Sequence, residues 1–171
     1  MSVKTRLTTK DIALIGMMIA TIEIAKRALA FLPNVELVTL LVILYTLYFG
    51  KRIFAVIPAF ILLEGTMYGF GVWWLMYLYV WPLLACLTLL FRKQESVWFW
   101  SILSGAFGLA FGLLCAIPYI FLSGPKGAFA WWVAGIPYDV LHCVSNFILC
   151  LVLYKPLRTA LSKISSKFNF L

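Results

Sequence analysis

The chain has 171 residues, of which 64% are hydrophobic and only 12% are charged, and its mean hydropathy is +1.03. A soluble domain is about half apolar and about a quarter charged, so this composition excludes an ordinary soluble protein and indicates an integral membrane protein. The net charge of +8 does not indicate nucleic-acid binding, because the basic residues lie at the ends of apolar runs, where they set the orientation of membrane spans.

Six apolar runs follow one another along the chain, and short polar, glycine- or proline-containing segments separate them. We predict an all-α fold in which residues 1–171 form a single domain, an integral membrane bundle of six transmembrane helices. The first run is too long for a signal peptide, so we interpret it as a retained span. The second and third runs are shorter than the about 20 residues that a crossing needs, and re-entrant segments are an alternative for them. The predicted spans are 11–32, 35–49, 53–64, 72–91, 96–122 and 128–154.

The distribution of basic residues predicts the orientation of the spans. If the N-terminus is inside, all but three of the 14 lysines and arginines fall on the inner side; the exceptions are Lys26, Arg27 and Lys126. This asymmetry fits the positive-inside rule with an even number of spans, so we predict that both termini are cytoplasmic. Residues 155–171 mix basic and spaced apolar residues, which predicts a cytoplasmic amphipathic tail along the membrane surface.

Small residues form a stripe on the first predicted helix. Ala13, Gly16 and Ala20 recur at helical spacing and therefore share one face. Small residues let two helices approach closely, and inside lipid such packing replaces the hydrophobic drive. The stripe either packs within the bundle of this chain or docks a different subunit, and the sequence leaves both interpretations open. Further along, Glu23 and Arg27 are four residues apart, which predicts an ion pair.

The predicted outer ends of the spans are rich in aromatic residues and glycine. Trp73 and Trp74 follow the glycine-rich segment 65–71, and Trp131 and Trp132 open the last span. Aromatic belts at membrane interfaces are ordinary. Two tryptophan pairs beside flexible loops also suit a pocket for a flat or bulky ligand, because they offer stacking surface at small entropic cost. Belt and pocket remain alternatives.

Four polar side chains are embedded in apolar sequence. Glu64 ends the third span, while Asp139, His142 and Asn146 share one face of the last span at i, i+3 and i+7. Lipid offers them no partner, so they either form an interhelical hydrogen-bond network or line a ligand or ion site. Asp139, His142 and Ser145 lie one turn apart, but no exposed elbow or oxyanion hole accompanies them, so we predict no catalysis.

Several segments together resemble the substrate-binding S components of energy-coupling factor (ECF) vitamin transporters, which are ABC-type importers. Gly16-x-x-x-Ala20, with Ala13 one turn before it, stands where those proteins carry a small-residue docking motif, although they usually have alanine in place of Gly16. The resemblance covers nearly the whole chain, and the sequence looks closest to S components linked to cobalamin. Its other segments are Leu32-Pro33-Asn34-Val35-Glu36, Tyr45 to Lys51, Leu63 to Trp74, and the last helix from Pro137-Tyr138-Asp139 through His142 to Asn146.

The resemblance implies a mechanism and partners. The S component captures a vitamin at the outer face and topples in the membrane to deliver it inward, driven by two partner ATPase subunits through a transmembrane coupling subunit. ATP and magnesium belong to the ATPases, and this chain has no Gly-x4-Gly-Lys-Ser/Thr loop, so we expect no cofactor, metal or catalytic residue in it. Cobalamin is the first candidate ligand, with a queuosine precursor, riboflavin, folate and pantothenate as alternatives.

The resemblance and the polar residues together predict a ligand pocket on the outer side. Tyr138 and Asp139 would form one wall and His142 the floor, and a contact between His142 and the cobalt of cobalamin is a further hypothesis. The residues expected to dock the coupling subunit are Ala13, Gly16 and Ala20. The predicted substrate-binding residues are Asn34, Glu64, Tyr68, Trp73, Trp74, Tyr77, Trp131, Trp132, Tyr138, Asp139 and His142.

Two other classes of protein are compatible with the same residues. A stand-alone secondary carrier would use Glu64 and Asp139 as an ion site and would transport in response to an ion gradient alone. An intramembrane enzyme would need Asp139 for turnover of a lipid substrate in the absence of any partner. The S-component interpretation instead expects a multi-pass protein in the cell membrane of a prokaryote that is inactive in transport without its ATPases.

Overall fold

The computed structural model describes residues 8–168, which are helical apart from short connections and contain no strand. Lys4 and Arg6, which we predict to be cytoplasmic, and the last three residues of the predicted tail lie outside the described residues. The helices are α1 (Thr9–Ala28), α2 (Val38–Phe49), α3 (Ile53–Tyr68), α4 (Val72–Leu90), α5 (Val97–Cys115) and α6 (Ile117–Phe168), and a short 3-10 helix (Gly50–Arg52) joins α2 to α3.

Within residues 8–168, four helical segments are long and apolar enough to cross a membrane, which confirms the prediction of an all-α membrane protein at this level. The first comprises α2 and α3, and the helical path is interrupted at Gly50, where φ is 56° and ψ is −129°. α1 is more polar, with charged side chains in its first and last turns. The four segments are Val38–Tyr68, Val72–Leu90, Val97–Cys115 and Ile117–Ser166.

The helix ends differ from the predicted spans in the first half of the chain. α1 stops at Ala28, and residues 29–37 form a loop instead of continuing the span to residue 32. α3 runs past Glu64 to Tyr68. Gly65 does not end this helix; it is a packing site, because a β-carbon there would collide with the Phe70 ring.

The fifth and sixth helices meet earlier than the predicted spans 96–122 and 128–154. α5 ends at Cys115, and α6 begins two residues later. Gly124, with a non-helical φ of 74°, divides α6 into two helices that meet at a kink, and this kink lies within the predicted turn at residues 123–127. Beyond the kink α6 remains helical to Phe168, so the predicted tail continues the helix where it is described.

A proline explains the break between α5 and α6. Pro118 has no N–H, so the carbonyl of Leu114 loses its partner in the helical ladder. The hydroxyl of Tyr79 on α4 donates to that carbonyl at 2.7 Å. A neighbouring helix therefore supplies the missing donor, which is how a break is tolerated at membrane depth.

Three glycines on α5 allow α6 to approach closely. A β-carbon at Gly108 would lie 2.8 Å from the backbone oxygen of His142, and one at Gly105 would lie 3.2 Å from the backbone oxygen of Cys143. Gly112 follows one turn later on the same face. This is the small-residue packing expected between membrane helices, but the sequence interpretation placed such a stripe only on α1.

An ion pair joins the start of α1 to the turn between α2 and α3. Arg52 Nε donates to Asp11 Oδ1 at 2.8 Å, and Thr8 forms a capping box with Asp11. Hydrogen bonds from the Thr8 backbone and hydroxyl, and then from Arg52, lower the pKa of Asp11 from 3.8 to about 2. The charged carboxylate therefore stabilises this end of the bundle.

Asp11→Asn is expected to lower the thermal unfolding midpoint at pH 7 by a small amount. Because the pKa of Asp11 is lower in the folded state, its contribution is present above the ordinary pKa of 3.8 and is lost as the pH falls through about 2. Unfolding of both proteins in detergent from neutral to acidic pH measures the difference. A gap between the two midpoints that stays constant down to the acid limit would contradict this origin.

Candidate ligand-binding site

Two adjoining cavities lie where α1 ends and α4 begins. The loop cavity, of about 260 Å³, is bounded by residues 29–38 and by side chains of α1, α4, α5 and α6. The aromatic cavity, of about 370 Å³, lies between α1, α3 and the start of α4. Both are lined by Lys26, Ala30 and Tyr77, so the two cavities adjoin at these residues.

The charged side chains between the two cavities neutralise each other. Lys26 forms an ion pair with Glu64, whose side chain is completely buried. The ammonium of Lys26 also lies 5.2 Å from the ring centroid of Tyr68 and 5.7 Å from that of Tyr77, at cation–π distance. The predicted pair of Glu23 and Arg27 is formed as well, at 2.9 Å.

The loop that closes the loop cavity is attached to α6 through His142. His142 Nε2 lies 3.2 Å from Glu36 Oε1, and the backbone N–H of Thr39 donates to the other oxygen of Glu36 at 2.9 Å. The imidazole ring stands edge-on to Phe111, with centroids 5.0 Å apart. His142 therefore lines the cavity while one of its nitrogens already faces a carboxylate of the chain.

Two further hydrogen bonds attach α6 to the same loop and to the first turn of α2. The hydroxyl of Ser145 donates to the carbonyl of Asn34 at 2.7 Å, and the amide of Asn146 donates to Thr39 Oγ1 at 3.2 Å. Asn34 has a φ of 55°, a left-handed conformation that asparagine tolerates better than most residues. The predicted interhelical network on the polar face of α6 therefore exists, and it reaches the loop before α2.

Asp139 belongs to the contact between α5 and α6 and lines neither cavity. Its Oδ1 accepts a hydrogen bond from the backbone N–H of Gly112 at 2.9 Å, while Oδ2 has no hydrogen-bond partner among the described residues. A β-carbon at Gly112 would collide with the carboxylate. The predicted role of Asp139 as a pocket wall is therefore not what the geometry shows.

The two tryptophans at the start of α4 have different surroundings. Trp73 lines the aromatic cavity and stands edge-on to Tyr77, with centroids 5.3 Å apart. Trp74 donates from Nε1 to the carbonyl of Ile61 at 2.8 Å and packs edge-on against Phe70. Trp74 thus fixes α4 to α3 instead of facing the cavity.

The aromatic residues of α6 lie away from the two cavities. Trp131 stacks on Tyr119 across the kink at Gly124, with centroids 4.7 Å apart. Trp132 lines a separate apolar cavity of about 440 Å³ at the junction of α5 and α6. Tyr138 is 60% exposed on the outside of the bundle. The kink keeps residues 117–123 and the following helix in contact, which the sequence did not predict.

Six of the eleven predicted binding residues therefore line the cavities, and five do not. Those that the structure brings together are Asn34, Glu64, Tyr68, Trp73, Tyr77 and His142. Those that it places elsewhere are Trp74, Trp131, Trp132, Tyr138 and Asp139.

The lining residues that were not predicted to bind include Lys26, Glu36, Trp81 and Phe111. Lys26 and Glu36 did carry a signal, since charged residues beside a membrane span need a partner. Trp81 is almost fully buried, and its indole N–H has no partner among the described residues. Phe111 lies in an apolar helix, and nothing in the sequence indicates that it lines a cavity.

Compared with protein-family models, characterised proteins and solved structures, the chain matches none of them. The cavities and the exposed surface of α1 are therefore the observations that bear on function.

The small-residue stripe of α1 faces outward. The buried side of this helix carries larger residues such as Leu14 and Met18. A β-carbon at Gly16 would have no neighbouring atom within 4 Å. Of the two interpretations of the stripe, packing within the bundle of this chain is not supported by the described residues. The three exposed residues of the stripe are Ala13, Gly16 and Ala20.

Proposed function

We propose that this chain is the membrane-embedded vitamin-binding subunit of an ECF-type ABC importer in the cell membrane of a prokaryote. The observation that carries the proposal is that the two parts of α1 have different surroundings. Its first part presents the outward-facing stripe around Gly16, and its last turn contributes Lys26 to both cavities. A single helix thus connects a surface that suits a coupling subunit to a site that suits a ligand.

The proposal includes six membrane spans with both termini in the cytoplasm. α1 has 20 residues and is therefore about 30 Å long, enough to reach across the hydrocarbon core. Apart from the buried Glu23, which is paired with Arg27, its charged residues lie in its end turns, where headgroups and water are available. α2 and α3 would make two short crossings on either side of Gly50, completing six with α4, α5 and α6.

Capture of a vitamin would use the aromatic cavity and the loop cavity together. Tyr68, Trp73 and Tyr77 offer stacking surface for a planar group, while Lys26 and Asn34 offer polar contacts. Partner ATPases would supply the energy, through the coupling subunit docked on the stripe, to carry the bound ligand inward. The chain itself would carry out no chemical reaction.

The size of the cavities bears on the choice of vitamin. Volumes of about 260 and 370 Å³ are at the lower end of the range for small-molecule sites. Cobalamin, which the resemblance favours, is much larger than the other candidates, and its binding would require the loop 29–37 to move outward. The cavities as they stand favour a queuosine precursor, riboflavin, folate or pantothenate.

The two rival functions gain no support from the site. A secondary carrier would use Glu64 and Asp139 as a joint ion site, but Glu64 lines the aromatic cavity and Asp139 lies between α5 and α6. An intramembrane enzyme would use Asp139, His142 and Glu64 together, but Asp139 lies between α5 and α6 while Glu64 is paired with Lys26.

The ligand is tested with the purified full-length chain. Mass spectrometry of the isolated protein, followed by calorimetry with cobalamin and the four smaller candidates, should identify one compound bound in a one-to-one ratio. We expect that compound to be retained without any partner subunit, because all the lining residues belong to this chain. Failure to bind any of the five would contradict vitamin capture.

The docking surface is tested by assembly. Gly16→Trp and Ala20→Trp should abolish co-purification with the coupling subunit and ATPases, because an indole on the stripe prevents close helix approach. Ligand affinity should stay within about twofold, since the stripe lines neither cavity. Ala106→Trp, at an exposed alanine of α5, is the matched control and should assemble normally. Normal assembly of both stripe variants would contradict the docking assignment.

A further inference from the structure

A basic cavity lies at the opposite end of α4 from the ligand cavities. It measures about 260 Å³ and is bounded by the end of α2, the turn at residues 91–96 and one face of α6. Its lining includes three cationic side chains, Arg92, Lys93 and Arg158, and a single anionic one, Glu95. The positive-inside rule accounts for the side of the membrane on which these residues lie, but not for their convergence on one cavity.

The positive charge of the basic cavity is not neutralised by ion pairs. The ion pairs formed within the described part of the chain lie elsewhere, and none of them includes Arg92, Lys93 or Arg158. The guanidinium of Arg158 interacts with the hydroxyl of Tyr48 and, over a longer range, with the carboxylate of Glu95. An excess of cations at one cavity favours an anionic ligand.

The turn that carries two of these cations is held in place. The buried indole of Trp100 donates from Nε1 to the carbonyl of Gln94 at 3.1 Å. Arg92 and Lys93 therefore extend from an anchored segment towards Arg158 on α6. Two arginines and a lysine around one small space suit a phosphate group, because the guanidinium fork matches phosphate oxygens and the ammonium adds a point charge.

The position of the basic cavity identifies the source of the phosphate. The turn 91–96 joins two segments that are apolar enough to cross a membrane, so the cavity lies at the depth of lipid headgroups. On either side of the turn, Leu90 is 72% exposed and Trp98 is 61% exposed. These two side chains provide an apolar surface for acyl chains and an interfacial aromatic residue.

We propose that the basic cavity binds the phosphodiester headgroup of an anionic phospholipid, with its acyl chains along Leu90 and Trp98. Basic pockets between membrane helices are suited to such headgroups. The inference is independent of which vitamin the chain binds, because the ligand cavities and the basic cavity share no residue.

Lipid retention by the full-length chain in neutral detergent tests the proposal. Native mass spectrometry is recorded with phosphatidylglycerol, with phosphatidylcholine of the same acyl chains, and with inorganic phosphate as a competitor. We expect phosphatidylglycerol to bind at least about tenfold more tightly than phosphatidylcholine, and inorganic phosphate not to displace it. Equal binding of the two lipids would overturn the proposal, and displacement by phosphate would make the cavity a site for the free anion.

Variants of the lining residues test whether the preference for phosphatidylglycerol arises from the basic cavity. Replacing Arg92, Lys93 and Arg158 together by Gln should remove the preference, whereas replacing the exposed Lys10, Lys126 and Lys155 by Gln changes the net charge equally and should leave it intact. Arg92→Lys with Arg158→Lys keeps the charge and should retain most of the preference.

An unchanged preference for phosphatidylglycerol in the triple cavity variant would overturn the proposal. If that variant also fails to co-purify with the coupling subunit, the cavity is a protein contact instead. If the triple variant does not fold, Lys93→Gln alone, at an exposed side chain, should still weaken the preference severalfold, and no change there would overturn the assignment.

Discussion

Gly108→Ala is expected to destabilise the protein by about 1–3 kcal/mol, although it adds only one methyl group. The new β-carbon would lie 2.8 Å from the backbone oxygen of His142, closer than real β-carbon contacts. A backbone oxygen inside α6 cannot move aside as a side chain does, so the two helices must separate. Separation removes dispersion contacts along the whole interface, and these contacts hold helices together inside lipid.

Two other glycines provide a graded comparison. Gly105→Ala places its β-carbon 3.2 Å from the nearest backbone oxygen, so its effect should be smaller. Gly135→Ala has open space around it and should be neutral or stabilising by up to about 1 kcal/mol, because alanine favours helix. Unfolding titrations in detergent measure all three. Equal effects at Gly108 and Gly135 would show that α5 and α6 are not in close contact.

The same variants report on the candidate site. His142 lies on the part of α6 that Gly108 contacts, so displacing α6 should also move the imidazole away from Glu36. We therefore expect Gly108→Ala to weaken ligand binding as well as stability, whereas Gly135→Ala should leave both nearly unchanged. The loop cavity thus depends on the glycine face of α5 even though no glycine lines it.

The overall class of the fold could be predicted from the sequence because it follows from composition and from local breaks. Four apolar segments are confirmed, and the breaks after Phe49 and Leu90 were predicted close to their observed positions. Both breaks carry basic or glycine residues directly after an apolar run. The break at Cys115 was missed because the carbonyl that Pro118 leaves without a donor is satisfied by the hydroxyl of Tyr79, which is distant in sequence.

The candidate site could be predicted only in part, because its contacts join distant segments. Glu36 and His142 are 106 residues apart, and Lys26 and Glu64 are 38 apart. Periodicity places Asp139 and His142 on one helix face, but it does not show that the first contacts α5 while the second contacts the loop before α2. The small-residue stripes of α1 and α5 show the same limit. Spacing places small residues on one helix face, but it does not reveal whether that face contacts another helix of the same chain.

Breaking the ion pair between Lys26 and Glu64 is expected to cause the second large loss of stability. The Glu64 side chain is fully buried, while that of Lys26 is 30% exposed. Removing the cation by Lys26→Met leaves a buried carboxylate without a counter-charge, and losses of about 3–5 kcal/mol accompany such changes. Removing the anion by Glu64→Gln should cost less, because the flexible lysine can reach water.

A double-mutant cycle separates the charge pairing from the loss of packing. Lys26→Met combined with Glu64→Gln should recover much of the stability that Lys26→Met loses, giving a coupling free energy of about 1–3 kcal/mol. Arg27→Met is the comparison variant, because the side chain of Arg27 is 47% exposed and that of its partner Glu23 is 10% exposed, whereas that of Glu64 is completely buried. That change should cost less than Lys26→Met, because the carboxylate that it leaves unpaired is less completely buried.

Ligand binding distinguishes two roles of Lys26, contact with the ligand and neutralisation of Glu64. Because Lys26 lines both cavities, the double variant should regain stability without regaining ligand affinity, which would remain at least about tenfold weaker than in the wild type. Recovery of affinity together with stability would mean that the lysine only neutralises Glu64. A cost for Lys26→Met no larger than that for Arg27→Met would mean that the carboxylate has another partner.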